Sequence, residues 1–355
     1  MTVAKVVGVS PTTVSNAYNR PHKLTPALRE RILAAARELG YAGPDPVARS
    51  LRRGRAGSIG LLFGEALTYV FQDPGALEFL RGLAEGTARH NTSLQIIAAL
   101  DADDREGASL LAGAIVDGLV VWTLPDHHPL LRLARERNIP LVIHGGPRLD
   151  GVPFVGIDDR AGARAAAAHL LDLGHRSLAV IAFPFGPARR ARRRDPAKLG
   201  RPRYRVTRER LAGYTAAARG GARLDVYEVA VNSRDEGRRA ALELLRDAPR
   251  PTAVLAMSDE LALGALAAAR ELGLRVPDDL SVVGWDDSPG ARAGDPALTT
   301  IGQSLHDQGR ACAQLLIAAT RGELAGDELV HLAPWQLISR HSTGPPGASS
   351  GCPRP

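Results

Sequence analysis

The chain has 355 residues, enough for two or three domains, and an apolar fraction of 45%, ordinary for a globular protein. No window holds the roughly 18 uninterrupted apolar residues of a membrane span, and no basic-then-apolar leader opens the sequence, so a cytoplasmic protein without a membrane partner is expected. Charge is unevenly placed: residues 1–57 carry ten Lys/Arg against three Asp/Glu, which accounts for the whole net charge of +7. A basic head on a neutral body suggests a polyanion-binding module joined to something else; an arginine-rich solvated surface is the alternative. Cys312 and Cys352 are too few and too far apart for a disulfide framework or a metal site.

Three short helical patterns open the chain. The first runs from Thr2 to Val7 and is punctuated by Gly8. The second starts with Ser10 as N-cap and Pro11 at the first helical position, where a missing N–H costs nothing. Val9 and Val14 then fall at the hydrophobic-staple positions. The third runs from the cap Thr25 to Gly40, with Leu28, Ile32, Ala35 and Leu39 on one stripe.

On the second helix Val14 and Ala17 face inward, with Tyr18 at the edge. Pro11, Thr12, Ser15, Asn16 and Asn19 form an outer face that is short, uncharged and rich in hydrogen-bonding groups. Such a face fits the major groove of DNA, where amides meet adenine edges and a Thr methyl meets a thymine methyl. A short helix, a Gly-containing turn and this helix make a helix-turn-helix; a solvent-facing helix of a three-helix unit is the other reading of the same residues. Residues 42–57, "AGPDPVARSLRRGRAG", read as a linker with one conditional helix from Asp45 to about Arg52.

From Ser58 apolar runs alternate with amphipathic ones. "SIGLLF", "LQIIAA", "DGLVVW", "PLVIH", "FVGI", "SLAVIA", "LDVYEV", "TAVLAM" and "LSVVGW" predict nine strands, separated by helical stretches such as residues 75–90, 159–173, 234–246 and 258–272. Strands apolar on both faces imply parallel sheets covered by helices, and nine of them imply two lobes. Residues 188–210 hold eleven basic side chains against two acidic ones, and this run is expected to be a flexible solvated loop, unless it holds a phosphorylated ligand or supports DNA contact. Residues 341–355 predict a disordered tail. His127 and His128 have no ligand partner at metal spacing, and no nucleotide, nucleophile-elbow or zinc-protease motif is present, so no cofactor and no enzymatic activity are expected.

The segments "VAKVVGVSPTTVSNAYN", "TPALRERILAAARELGY", "ARSLRRGRAGSIGLLF", "VDGLVVW", "HLLDLGHRSLAVI", "RLAGY", "SDELALGALAAARELGLRVPDDLSVVGWDD" and "PALTTI" together resemble the LacI/GalR family of repressors, in that family's order and over nearly the whole chain. The resemblance implies a small all-α helix-turn-helix head (1–42), a hinge (43–57) and an α/β periplasmic-binding-protein-like sensor (58–340) with two doubly wound parallel-sheet lobes. It implies a homodimer on a pseudo-palindromic double-stranded operator, controlled by a small effector, a sugar or related metabolite. Pro11, Thr12 and Asn16 match base-reading positions; Ser10, Thr13, Ser15, Asn19 and Tyr41 match phosphate-contact or supporting positions. Leu51 matches a minor-groove wedge, flanked by Arg49 and Arg52.

In the sensor, Tyr69, Phe71, Trp122, Asn232 and Ser258 match cleft-lining positions, Arg210 a ligand-contacting arginine, and Asp286 an acceptor of ligand hydroxyls. From the residues alone, Arg210 is read in the first turn of a helix capped by Thr207, in the cleft or simply solvated, and Asp286 as a ligand acceptor or a capping aspartate. His144 departs from the family, standing where an Asp is frequent; a satisfied buried histidine is its other reading. Ser258 stands where Asn is common. The first helix is shorter than usual in the family, which predicts either a native start upstream or weakened DNA binding. The rivals from other classes are a solute-binding protein with the same lobes, or an enzyme working in the cleft.

Overall fold

The computed structural model describes residues 2–43, 55–98, 105–195, 198–246, 248–324 and 329–347. Contacts divide the chain into two compact units, residues 1–57 and 58–355. The helix expected near residues 46–52, with Arg49, Leu51 and Arg52, lies outside the described residues.

In the first unit α1 (Val3–Val7) ends at Gly8, whose φ of +74° needs no Cβ in the way. Helix α2 (Pro11–Asn19) is capped by Ser10, whose Oγ accepts from the Thr13 N–H at 3.1 Å. Helix α3 (Pro26–Glu38) is capped by Thr25 in the same way at 3.3 Å. Val3, Val14, Ala17, Ile32, Ala35 and Ala36 close a small core between the three helices, and burial of this stripe compensates for the poor intrinsic stability of such short helices. The Arg29 Nε donates to the Ala17 carbonyl at 3.2 Å, satisfying an acceptor near the end of α2.

The second unit contains two sheets. The first has the order β12-β5-β4-β3-β1-β2 and every pairing in it is parallel: β1 (Ser58–Phe63), β2 (Ser93–Ala98), β3 (Leu119–Trp122), β4 (Leu141–His144), β5 (Phe154–Gly156) and β12 (Val330–Leu332). The second has the order β13-β11-β10-β9-β6-β8-β7: β6 (Ser177–Ala182), β7 (Arg192–Arg194), β8 (Arg223–Glu228), β9 (Ala253–Ala256), β10 (Ser281–Asp286), β11 (Thr299–Gln303) and β13 (Trp335–Ile338). The edge strands β7 and β13 are antiparallel to their neighbours. Each strand order reverses beside the first strand of its lobe, β1 or β6, and such switch points open a crevice at the carboxyl ends of the strands. Each of the nine apolar runs becomes a strand. The remaining four lie at or next to a sheet edge, where a strand needs little apolar character.

The helices that build the crevice are α4 (Tyr69–Gln72), α5 (Pro74–Ala88), α8 (Asp159–Asp172), α9 (Arg205–Ala218), α10 (Arg234–Leu245), α11 (Asp259–Glu271) and α13 (Leu305–Arg321), with α6 (Arg105–Gly113), α7 (Pro129–Glu136) and α12 (Pro289–Ala293) elsewhere in the lobes. The chain crosses between lobes between β5 and α8, between β11 and α13, and between β12 and β13. Helices α5 and α13 touch backbone to backbone: a Cβ on Gly82 would lie 1.9 Å from the His306 carbonyl oxygen, and one on Gly309 2.2 Å from that of Phe79. That approach fixes Phe79 and Gln308 against the first sheet.

Three sequence expectations are corrected. Arg210 lies in the second turn of α9, because the helix starts at Arg205; Thr207 is inside it and donates to the Pro184 carbonyl at 3.1 Å rather than capping. The arginine-rich run is not simply a solvated loop: β7 pairs with β8, where the buried Glu228 attracts Arg192 and Arg194, and Asp225 attracts Arg193. Ordered structure continues past residue 341, because the Ser342 Oγ donates to the Val282 carbonyl at 2.6 Å and accepts from the Thr299 N–H at 2.8 Å.

Candidate functional site

A cavity of about 130 Å³ lies between the lobes at the carboxyl ends of both sheets. Its floor on the first lobe is aromatic. Trp122, the last residue of β3, stacks on His144, the last of β4, with centroids 4.7 Å apart and planes at 26°. Phe63 stacks on Trp122 at 5.4 Å, and Phe79 meets both Trp122 and His144 edge-on or tilted at 4.5 Å. With Phe63 and His144 stacked on either side of it, Trp122 gives the cavity an apolar aromatic wall against which the apolar side of a ring with polar groups on its rim can pack.

The walls are polar. Asp286 ends β10 with a φ of +112°, a strained conformation for an L-residue with a Cβ, of the sort that persists where the surrounding structure over-determines it. Burial pushes its carboxyl well above the ordinary value, against the pull of the Arg210 guanidinium. Arg210 is itself buried: its Nε donates to Asp159 Oδ1 at 3.0 Å, its Nη1 donates to the Met257 carbonyl, and its guanidinium lies 3.8 Å over the Trp285 ring. Asp159 also accepts from Arg205 at 3.0 Å. Across the cavity the Tyr69 hydroxyl donates to Asp73 Oδ2 at 2.8 Å, and the Asn232 amide donates to the Tyr69 oxygen at 3.0 Å and to Asp73. Tyr69 and Asp73 belong to the first lobe and Asn232 to the second, so these bonds span the cleft. Burial raises the carboxyls of Asp73 and Glu65 as well. His144 is pushed the other way, to about 4, because burial disfavours the imidazolium.

Of the residues named from sequence, Tyr69, Trp122, His144, Arg210, Asn232 and Asp286 line this cavity together. Ser258 stands behind them, capping α11 and donating to the side-chain Oδ1 of Asn232. Phe71 does not line the cavity and is 63% exposed, because α4 turns its ring outward while Tyr69 turns inward. Sequence reasoning missed Glu65, Asp73, Asp159, Gln303 and Gln308. Two of these carried a signal: Asp73 precedes Pro74 as an N-cap, and Asp159 follows the strand "FVGI" at the start of α8.

On α2, Thr12 is exposed while Ser15, Asn16 and Asn19 are half-buried. Several polar side chains there are engaged within the head: Ser10 Oγ and Thr13 Oγ1 lie 2.8 Å apart, and the Asn19 amide donates to the Ser15 carbonyl at 3.0 Å. Among the described residues Thr12 and Asn16 make no side-chain hydrogen bond. Tyr41 packs edge-on against Tyr18, 6.2 Å between centroids.

Residues 2–43 match the family model for bacterial regulatory proteins of the lacI family, and residues 167–343 match that for a periplasmic binding protein-like domain. An HTH-type transcriptional regulator of Mycobacterium tuberculosis is 39% identical over 350 residues, covering 97% of this chain and 96% of its own. The chain belongs to the LacI family. This LacI-family protein is a transcriptional regulator, not an enzyme. It is also similar to the solved complex of the regulator CelR with cellobiose, at 30% identity and a TM-score of 0.69 over 96% of this chain and 98% of that one. The lac repressor dimer bound to operator and the anti-inducer ONPF matches at 26% identity, with a TM-score of 0.75 over 96% and 98%.

Proposed function

We propose that this LacI-family regulator binds a pseudo-palindromic operator as a homodimer through α2, acts on the nucleoid in the cytoplasm, and changes operator affinity when a neutral, polyhydroxylated effector fills the interlobe cavity. The carrying observation is the polar composition of that cavity. Its walls carry the carboxyls of Asp73, which receives Tyr69 and Asn232, and of Asp286, which receives Gln303 through Oδ1 only, beside Trp122, while Arg210, the one arginine among its lining residues, is engaged by Asp159 and the Met257 carbonyl. Hydroxyl groups satisfy such acceptors; an anion would meet carboxylates on several sides. CelR in complex with cellobiose and the lac repressor on its operator support both halves of the proposal. On the head, Thr12 and Asn16 have groups free for base edges, while Ser10, Thr13, Ser15, Asn19 and Tyr41 would support or contact phosphates. No helix among the described residues is long and apolar enough to cross a membrane.

The effector acts only through its differential affinity for two lobe arrangements, and lobe closure is where the contacts that differ are made. The test is selection of bound genomic fragments by the full-length protein, with and without a metabolite extract, followed by Asn16→Ala on the selected sequence. An operator whose affinity falls for Asn16→Ala more than that of random DNA, and moves with the extract, is expected. No preferred duplex under either condition would overturn the proposal.

A further inference from the structure

Gln303 and Gln308 were not among the residues singled out from sequence, yet they form a directional relay along the crossover from β11 to α13. The Gln303 Nε2 donates to Asp286 Oδ1 at 2.7 Å. The Gln308 Nε2 donates to Gln303 Oε1 at 2.9 Å and also to the Ser304 backbone carbonyl at 3.2 Å. Gln308 Oε1 then faces His144 Nε2 at 3.0 Å. The Ser304 carbonyl can only accept, so the amide of Gln308 has one orientation. Turned over, it would set oxygen against the carbonyl oxygen of Ser304 and against Gln303 Oε1, and NH2 against the ring. Gln308 is buried, with 1% of its surface exposed, so water does not relieve such a clash.

The consequence falls on His144. An acceptor opposite Nε2 requires the proton to sit on that nitrogen, and its burial keeps the ring neutral. Nδ1 is then left as a lone pair. It is buried and has no hydrogen-bond partner among the described residues, although His144 borders the cavity. Of the described residues that line the cavity, His144 alone has a buried polar side-chain atom without a partner, which calls for an explanation.

We propose that Gln308, steered by Gln303 and the Ser304 carbonyl, is a positioning residue that locks His144 in the Nε2–H tautomer, and that Nδ1 thereby reads a hydroxyl or N–H donor on the effector. This rests on the cavity being the effector site. The relay makes the reading one-sided. A carboxylate at the position of His144 would accept from a hydroxyl with a full charge and from several directions. The imidazole accepts along one direction without charge, and it repels an ether, carbonyl or phosphate oxygen placed at the same point.

The full-length protein with 15N-labelled histidine side chains tests this by NMR, the His144 signals being assigned with His144→Gln. Without ligand, one neutral species is expected, with pyrrole-like Nε2 and pyridine-like Nδ1. Gln308→Leu should convert it into a mixture of tautomers, and Gln303→Leu should do the same more weakly. Glycerol, a triol, should shift the Nδ1 resonance in the wild type, whereas 1,2,3-trimethoxypropane, the same skeleton without donors, should not. A ring protonated on Nδ1, a tautomer indifferent to both leucine variants, or a Nδ1 response to the ether equal to that of the triol overturns the proposal; so does the absence of any response to glycerol. The tautomer is read on the protein alone, so failure of the lock leaves control of the operator by metabolite extract standing, and failure of that control leaves the tautomer result standing.

Discussion

Replacing Asp159 with Asn should destabilise the second unit through a single buried charge. Asp159 is 2% exposed and accepts from Arg210 and Arg205, each at 3.0 Å, and Arg210 is itself only 5% exposed. An asparagine there can accept from one arginine, but its NH2 then faces the other, donor against donor, and both guanidiniums lose the carboxylate they are bonded to. Removing one partner of a buried pair costs roughly 3–5 kcal/mol. With an unfolding entropy near 2.1 cal/mol/K per residue, the ~300 residues of this unit give about 0.6 kcal/mol/K, so a loss of about 4 kcal/mol lowers the midpoint by about 6 °C. Differential scanning calorimetry of the full-length protein measures this. The triple variant Asp159→Leu, Arg205→Met, Arg210→Met should recover most of the loss, because it removes the carboxylate and both of its arginines together. An Asp159→Asn midpoint within about 1 °C of wild type would refute the argument that this carboxylate holds a buried charge in place.

The folded His144 titrates near 4 against about 6.5 unfolded, so between these values the unfolded chain binds the extra proton and stability falls as pH falls. Asp259, pushed by burial to about 6, acts with the opposite sign in part of the same range, so the contribution of His144 is read by difference. His144→Gln should lose less stability than wild type from pH 6.5 to 5, by about 1.5 kcal/mol in denaturant titrations; parallel curves would contradict it. Ser10→Ala removes the oxygen that receives the Thr13 N–H and should cost the head about 1 kcal/mol, seen as a lower midpoint for its own thermal transition; an unchanged midpoint would show that the cap carries no stability. Arg189 in the arginine-rich segment donates to both oxygens of Glu65 and to the Gly64 carbonyl across the cleft mouth. In a Trp335→Phe background, Arg189→Gln should open the lobes and make Trp122 more accessible to acrylamide, the partly exposed pair contributing roughly 1 kcal/mol or a fivefold shift in population. Unaltered quenching would show that the pair does not hold the lobes.

Much of the architecture can be read along the chain because its causes are local. Caps at Ser10 and Thr25, the inward stripe through Val14 and Ala17, and nine apolar runs are each written within a few consecutive residues. Strands such as Arg192–Arg194 and Val330–Leu332 were illegible because their pairing depends on a partner far away: Glu228 attracts the first, and the second pairs with Phe154–Gly156, far back along the chain. Trp122, Arg210 and Asp286 were legible as side chains through the resemblance, but their environments were not. Nothing near Arg210 in sequence announces Asp159, and Phe71 and Tyr69, two residues apart, part company because a single helical turn sends one ring to solvent and the other into the cleft.

The amino-acid sequence by itself determined that a capped, polar-faced helix would precede two parallel-sheet lobes, since propensity, capping and periodicity act over a handful of neighbouring residues. Only the tertiary structure decided that Asp159 receives both Arg205 and Arg210 and that Gln308 faces His144, because partners 46, 51 and 164 positions apart meet only once the chain has folded.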